Sequence, residues 1–299
     1  MRSIKKFFRH DNIGLLFIAP AVIYMIVFVG YPIIYNFILS FQNVTVMTIK
    51  TAKPFVGFEN YIKAINDPIV MKSVINTMVF TVACIVFQFI IGLGLALFFN
   101  KRFNFAKPVR GLMLIPWMIP VAITGLTFRF LFASNVGVIN DVLKILGVIQ
   151  KPIDWLLQPG TAMFSVIFAN IWIGIPFNMI LILTGLTLIP TELYESANID
   201  GANRIQTFLR ITMPMLRRTI ESVLALGFIY TFKMFDLVFV MTNGGPVNAT
   251  QLLSTYSYKL SFNLFHYSDG ATVANISFVI LFMISLLYLK VAYSKEREV

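Results

Sequence analysis

The residues of this chain that could do chemistry are polar and aromatic residues, together with one glycine, within two long apolar stretches. They are Asn170, Trp172, Gly174 and Asn178 in the first stretch, and Tyr230, Thr231, Lys233 and Asp236 in the second. A polar or ionisable residue inside a membrane span is costly and is therefore a functional candidate by default. Amides and hydroxyls hydrogen-bond to ligand hydroxyl groups, and aromatic rings pack against C–H surfaces. The set is therefore predicted to line a binding path, with hydrogen-bonding groups and aromatic faces for a ligand.

Structural alternatives exist for several of these residues. For Asn170 the alternative to ligand binding is a hydrogen bond to a neighbouring helix. For Trp172 the alternative is contact with lipid. Lys233 and Asp236 are three residues apart, which is also the spacing of an ion pair along one helix. Arg129 is interpreted as a residue whose charged end reaches the membrane interface, and it is left out of the path.

Motifs for catalysis are missing from the sequence. Cys84 stands alone within an apolar stretch, and His10 and His266 lie far apart, so neither a metal cluster nor an internal disulfide is predicted. There is no G-x-x-x-x-G-K-[ST] loop for a nucleotide. Gly92-Leu-Gly94-Leu-Ala96 is better explained by close helix packing than by phosphate binding. We therefore expect no catalytic residue, metal or cofactor in this chain, and no enzymatic activity of its own.

The elements that hold these residues are membrane-spanning helices. The chain of 299 residues is 58% hydrophobic and 12% charged, with a mean hydropathy of +0.81; a soluble domain carries about 25% charged residues. Only helices and closed barrels satisfy every backbone group in lipid, and alternating barrel strands are not visible. An all-α bundle of six spans is therefore predicted. The spans are about Ile13–Leu39, Val74–Phe99, Gly111–Phe132, Ala162–Ile189, Ile220–Met241 and Val273–Leu289.

The first apolar run is interpreted as a retained span rather than a signal peptide. It is too long for the apolar core of a signal peptide, and no small-residue cleavage site follows it. A break or bend is expected near Pro20 and Pro32.

The excess of basic residues is interpreted as a topology signal. The net charge is +11, and 15 of the 24 Lys and Arg residues lie in the four segments that an even number of spans places on one side. The positive-inside rule makes that side cytoplasmic. Both termini are therefore predicted to be cytoplasmic, and nucleic-acid binding is not expected.

A short amphipathic helix is predicted on the other side of the membrane. Its apolar residues recur at helical spacing and are Val138, Ile139, Val142, Ile145 and Leu146.

One cytoplasmic segment, Glu195 to Pro214, is a polar island between two spans. Thr191 is the expected N-cap of a helix that Gly201 would end or bend, and a second helical piece would run from Arg204 to Pro214. Two short helices of this kind would form a knob that enters a partner's cleft. The small residues would allow a close approach, and the carboxylate of Glu195 would accept a hydrogen bond. An ordinary solvated loop remains the alternative on these grounds.

The spacing of this island resembles a known motif. Glu195-Ser196-Ala197, then Gly201, Ile211 and Pro214, resembles the EAA loop of binding-protein-dependent ABC importer permeases, with Ser196 in place of an alanine and Met213 in place of a leucine. Further motifs are similar to the carbohydrate-uptake branch that includes maltose and glycerol-phosphate permeases. They are Arg110-Gly111 followed by Pro116, Asp154-Trp155-Leu156, Ile189-Pro190, Ile199-Asp200-Gly201-Ala202 and Asn243-Gly244-Gly245-Pro246. The match covers about Met71 to Tyr293.

The resemblance implies an importer of the type I permease fold in the cytoplasmic membrane of a prokaryote. Two ATPase subunits would bind ATP and Mg²⁺, and an extracytoplasmic solute-binding protein would deliver the sugar. The resemblance favours a second permease distinct from this chain. It implies that the contact with an ATPase is made by Glu195, Ser196, Ala197, Asp200, Gly201, Ile211 and Pro214. It also makes Asn170 and Gly174 similar to the asparagine and glycine that line the maltose-permease site.

The implied domain organisation has three parts. Residues 1–70 hold the N-terminus, the first span and the first outside loop; residues 71–293 form the permease core, with the coupling loop at 190–218; residues 294–299 form a cytoplasmic tail. A phosphate ester would need a cationic pocket, and Lys233 is the one lysine inside a predicted span, so a neutral sugar is favoured.

Two other functions remain open at this point. An ion-coupled secondary transporter would need an intramembrane carboxylate, for which Asp236 is the candidate. A membrane scaffold would use the island only to recruit a soluble protein.

Overall fold

The computed structural model describes residues 10–51, 53–101 and 105–294. In these ranges every regular element is a helix, and β pairing is limited to two isolated bridges. The α-helices are α1 His10–Met25, α2 Tyr31–Ser40, α3 Glu59–Asn66, α4 Pro68–Asn100, α5 Ala106–Met113, α6 Ile115–Met118, α7 Val121–Leu131, α8 Val138–Ile145, α9 Pro159–Thr187, α10 Thr191–Ile199, α11 Arg204–Thr207, α12 Met213–Phe232, α13 Asp236–Met241, α14 Leu253–Tyr258 and α15 Tyr267–Ser294. The prediction of an all-α membrane protein is confirmed.

Four helical segments in the described ranges are long and apolar enough to cross a membrane. They are Phe17–Ser40, Pro68–Asn100, Pro159–Thr187 and Tyr267–Tyr288. The expected break in the first is not formed, because the chain stays helical through Pro20 and Pro32. A π-helical turn at Ile26–Gly30 precedes Pro32 instead. Such a turn shifts the backbone hydrogen-bond register without ending the helix.

The predicted third span, Gly111–Phe132, is a bent pair rather than one helix. The segments Ala106–Met118 and Val121–Leu131 meet at 91°. Ile119 and Pro120 lie between them in extended backbone, with ψ values of 133° and 132°. Proline disfavours helical backbone in the residue before it, which explains why the break falls at Ile119. If this pair counts as one span, the described residues contain five.

The predicted span Ile220–Met241 is also interrupted, so the count of six continuous spans is not reached. Helix α12 ends at Phe232 and α13 begins at Asp236. Non-helical backbone at membrane depth is tolerated where it is buried in protein or lines a cavity. Lys233 and Asp236 lie at this break, where backbone of that kind is expected.

The chain divides into two compact units. In the first, comprising described residues of 10–66 and 257–276, Asn36 donates to Asn275 at 2.7 Å and Asn60 donates to the carbonyls of Ser40 and Gln42, both at 2.8 Å. These hydrogen bonds satisfy polar groups at the end of α2. The predicted amphipathic helix is confirmed as α8, Val138–Ile145, in the second unit.

The second unit, comprising described residues of 67–256 and 277–294, is built around the contact of α4 with α9. A Cβ on Gly92 would lie 2.7 Å from Cβ of Asn178 and 3.1 Å from the backbone nitrogen of Met179. Ala96 is fully buried one turn further along α4. Small residues let helix backbones approach closely in a membrane. The predicted packing role of Gly92 and Ala96 is therefore confirmed, whereas Gly94 faces open space.

Candidate functional site

Asn170 lies on the face of α9 that packs against α4. Its side chain is 2% exposed, and its Nδ2 makes no hydrogen bond of normal length. Its main-chain carbonyl accepts a hydrogen bond from Nε2 of Gln88 on α4, at 2.9 Å. A Cβ on Gly174 would overlap the Gln88 carboxamide. Asn170 and Gly174 therefore meet at one buried polar contact, and the Asn170 side chain also interacts with the Cys84 thiol of α4, in keeping with the alternative of a bond to a neighbouring helix.

The other two predicted residues of α9 have different surroundings. Asn178 is buried, and its Nδ2 donates to the Gly174 carbonyl at 2.9 Å within the same helix. Trp172 is 37% exposed and packs edge-on against Phe128 of α7, with ring centroids 5.5 Å apart. Asn178 is thus engaged internally, whereas Trp172 presents part of its ring outward.

The predicted residues of the next span lie around the break between α12 and α13. Thr231 is buried, whereas Tyr230, Lys233 and Asp236 are exposed. Nζ of Lys233 lies 5.1 Å from the centre of the Tyr230 ring, within the range of a cation–π contact. Lys233 and Asp236 do not pair with each other, although both belong to the described part of the chain. The structural ion pair is therefore absent, and a lysine next to an aromatic face remains.

Two aromatic residues that the sequence analysis did not name extend this face. Phe177 of α9 packs edge-on against Tyr230 with centroids 6.0 Å apart, and Trp117 of α6 stacks on Phe177 at 5.9 Å. Trp117 and Tyr230 are 55% and 54% exposed. The signal for Trp117 was its position between Pro116 and Pro120, where an interrupted helix is expected. Gln88 was equally visible as a polar residue inside a span.

These surroundings suit a hydroxylated ligand. Aromatic rings offer flat apolar surface, and Lys233 offers three N–H donors. Both helix breaks, at Ile119–Pro120 and at 233–235, adjoin this aromatic group. Discontinuous helices commonly form binding sites in membrane transporters.

The polar island folds as two short helices joined by a tight turn. Helix α10 begins at Thr191 itself, and Pro190 precedes it without a side-chain cap, so the prediction of Thr191 as N-cap is wrong. Proline's fixed φ already suits the start of a helix. Gly201 has φ +72°, its N–H donates to Asn198, and the Ala202 N–H donates to Ala197 at 2.9 Å. This is a Schellman C-cap with glycine at the left-handed position, which confirms that Gly201 ends the helix.

The second helix of the island starts at a capping box. Asn203 and Gln206 exchange side-chain and backbone hydrogen bonds, each of 2.9 Å. The chain continues through α11 and a π-helical turn at Phe208–Thr212 into α12. Both ends of the turn are therefore satisfied locally, so the connection is held in one geometry.

The island presents a cleft and an apolar surface. The cleft, of about 390 Å³, is lined by Ala197, Asp200, Gly201, Ala202, Gln206, Thr207, Arg210 and Ile211. Four of the predicted coupling residues therefore meet in one concavity. Glu195, Ser196 and Pro214 lie outside it and are exposed. Ile199 and Ile205 are large apolar residues exposed by 87% and 70%, and the sequence analysis named neither of them as a contact.

The family comparison agrees with this arrangement. The model of the family described as "Binding-protein-dependent transport system inner membrane component" matches residues 88–297, which is more than half of the chain. The chain belongs to this family. It is a family of transport permeases, so this permease is a multi-pass membrane protein, and its family is not an enzyme family.

Curated relatives match this permease over nearly its whole length. The trehalose/maltose transport system permease protein MalF of Thermococcus litoralis is 34% identical, with 95% of each chain covered. The sulfoquinovosyl glycerol transport system permease protein SmoG of Agrobacterium fabrum is 33% identical, covering 95% of this chain and 91% of SmoG. The lactose transport system permease protein LacF of Rhizobium radiobacter is also 33% identical, covering 99% and 98%.

A solved structure shares the fold. A chain of a bacterial ABC transporter involved in the import of the acidic polysaccharide alginate superposes with a TM-score of 0.83 at 24% identity, covering 98% of this permease and 99% of that chain. The predicted ABC importer permease fold is thereby confirmed. The stand-alone ion-coupled carrier considered from the sequence has no support from these comparisons.

Proposed function

We propose that this permease forms half of the translocation path of an ATP-driven sugar importer. The observation that carries the proposal is the exposed helix–turn–helix of the island, within a chain of the binding-protein-dependent family. A chain of this family uses ATP through a docked partner. A rigid knob with an apolar surface and a cleft supplies such a contact.

The docking contact is proposed to be made by the predicted coupling residues together with two additional ones. They are Glu195, Ser196, Ala197, Asp200, Gly201, Ile211 and Pro214, with Ile199 and Ile205 as exposed apolar contacts. In a protein–protein interface, a few buried residues near the centre carry most of the binding energy. Two ATPase subunits, a second and distinct permease, and an extracytoplasmic solute-binding protein complete the proposed complex. The alginate importer has been seen with a periplasmic protein bound to alginate pentasaccharide.

A neutral oligosaccharide is the proposed substrate. MalF and LacF are permeases for trehalose/maltose and lactose by name. Trp117, Phe177 and Tyr230 provide the aromatic surface for a sugar ring, and Lys233 provides hydrogen-bond donors. Asn170, Trp172, Gly174, Asn178, Thr231 and Asp236 remain part of the proposed path. The island and both termini are proposed to face the cytoplasm.

The test is purification of the tagged chain from its native membranes in a mild detergent, with co-eluting proteins identified by mass. We expect an ATPase and a second permease in comparable amounts. The binding protein associated with them is then screened against neutral and acidic sugars. A chain that elutes alone, yet moves sugar in liposomes with an ion gradient, contradicts the proposal.

A further inference from the structure

Gln88 is a buried polar residue in the apolar helix α4, and the proposed path does not include it. Its side chain is 4% exposed. Its Nε2 donates a hydrogen bond of 2.9 Å to the main-chain carbonyl of Asn170. That carbonyl belongs to a helix, so the bond is additional to helical backbone pairing. Gln88 therefore links α4 to one turn of α9 by a hydrogen bond.

The same carboxamide also covers Gly174, one turn further along α9. A Cβ on Gly174 would overlap Cδ, Oε1 and Nε2 of Gln88, so only glycine leaves room for it. On the Gly174 carbonyl, Asn178 places its own amide at 2.9 Å. Two successive turns of α9 are thus each held by an amide side chain. Only the Gln88 contact comes from another helix.

The turn of α9 that Gln88 contacts carries a buried amide, that of Asn170, which lacks a strong hydrogen bond. Nδ2 of Asn170 is buried and makes no hydrogen bond of normal length, and its side chain interacts with the Cys84 thiol of α4. An unpaired amide donor is costly in a membrane interior, and buried polar groups are almost always hydrogen-bonded. A thiol is a weak hydrogen-bond acceptor, so the environment of this amide depends on how α9 approaches α4. The direction of this amide depends on the rotation of α9, which the Gln88 contact restrains.

We propose that Gln88 is a positioning residue, which fixes the rotation of the Asn170–Gly174 turn of α9 and so determines how this helix faces the sugar path. This inference rests on the proposed function. Gln88 acts through Asn170 and Gly174 and does not itself touch the sugar. Its loss therefore lowers sugar uptake more than it lowers assembly or basal ATP hydrolysis.

The first experiment uses steric rescue in the complete complex, reconstituted with its binding protein. We expect Gly174→Ala to lower uptake at least tenfold, because the added Cβ displaces the carboxamide. Gln88→Ala removes that carboxamide, so Gly174→Ala/Gln88→Ala should recover to the level of Gln88→Ala alone. Gly94→Ala is the matched control, since a Cβ there meets nothing within 4 Å. Normal uptake by Gly174→Ala, or a double variant no better than Gly174→Ala, would overturn the proposal.

The second experiment separates positioning from packing. Gln88→Leu keeps similar bulk but lacks the hydrogen bond, which predicts a loss of uptake of about two- to fourfold at unchanged basal ATPase activity. Cys84, the single cysteine of the chain, is buried one turn before Gln88 in the same contact and reports on its tightness. We expect alkylation of Cys84 to stay as slow as in the wild type. Faster alkylation that parallels the loss of uptake would mean that Gln88 only packs, and would overturn the positioning role.

The wild-type complex distinguishes this inference from the function on which it rests. If it takes up no sugar with its binding protein present, the proposed function fails. If it transports normally and Gln88→Leu does as well, only the role of Gln88 is contradicted.

Discussion

At the scale of single residues, Gly201 is required for its backbone conformation and not for lack of space. Its φ is +72°, and a Cβ there would meet nothing within 4 Å. A left-handed backbone costs an L-residue roughly 1–2 kcal/mol, although Asn and Asp tolerate it better than others. Substitution at this position therefore leaves the fold nearly unchanged and alters the docking surface.

The Gly201 contact can be tested with two side chains of equal size. We expect Gly201→Asp to insert normally and to abolish ATP-dependent uptake, because it adds bulk and charge to the docking cleft. Gly201→Asn adds the same bulk without the charge and should retain part of the uptake. Uptake and co-purification of the ATPase are measured for both. Normal transport by Gly201→Asp would show that the island is not the coupling contact.

Asn170 and Asn178 form a natural pair for comparison on one helix. Asn170→Ala removes an amide donor that makes no hydrogen bond of normal length and should lower uptake severalfold at unchanged basal ATPase activity. Asn178→Ala removes an amide already bonded to the Gly174 carbonyl and should have the smaller effect on uptake. Initial uptake rates over a range of sugar concentrations provide the measurement. Unchanged kinetics in Asn170→Ala would take Asn170 off the path.

At the scale of elements, the close approach of α4 to α9 controls where the path residues lie. There is little hydrophobic drive between helices in lipid, so packing of small residues has to hold them together. Gly92 contacts the backbone of α9 directly, and Gly185 of α9 leaves room for Thr219 of α12. Glycines therefore mark the contacts along both faces of α9.

Glycine variants of α4 test this contact through the stability of the protein rather than through uptake. In Gly92→Ala the new Cβ would lie 2.7 Å from Asn178 Cβ and 3.1 Å from the Met179 nitrogen, so a backbone has to move. Overpacking of this kind costs about 1–3 kcal/mol. We expect a lower midpoint of thermal unfolding in detergent. Gly94→Ala, which faces open space, should not lower it; equal midpoints for the two variants would contradict this packing.

At the scale of the whole molecule, the charge pattern predicts opposite sides for the island and the turn that follows α13. Ile205 and Val247 are 70% and 79% exposed, one in each segment. Cys84 is fully buried, so it contributes little background labelling.

Single cysteines at these two positions test the topology in intact cells. Val247→Cys should react with a membrane-impermeant maleimide added from outside, because its loop is predicted to be extracytoplasmic. Ile205→Cys should react only after the membrane is permeabilised, in cells that express the chain without the ATPase subunits proposed to cover this position. Mass spectrometry of the labelled chain provides the measurement. Equal labelling of both positions from outside would contradict the predicted orientation.

The sequence by itself determined the class of protein, the helical architecture and the helix end at Gly201. Each depends on local composition or spacing: an apolar run long enough to cross lipid needs a helix, and a glycine at a left-handed position ends one. The EAA spacing also predicted which residues would share the island, and four of them line one cleft.

Only the tertiary structure decided how the candidate path is built. Lys233 lies over Tyr230 rather than beside Asp236, Trp117 reaches Phe177, and Gln88 holds the turn of Asn170. The helix breaks at Ile119–Pro120 and at 233–235 likewise replaced two continuous spans. All of these depend on which faces of separate helices meet. The apolar pattern of a lipid-embedded helix does not specify those faces, because its lipid-facing and buried sides are equally hydrophobic.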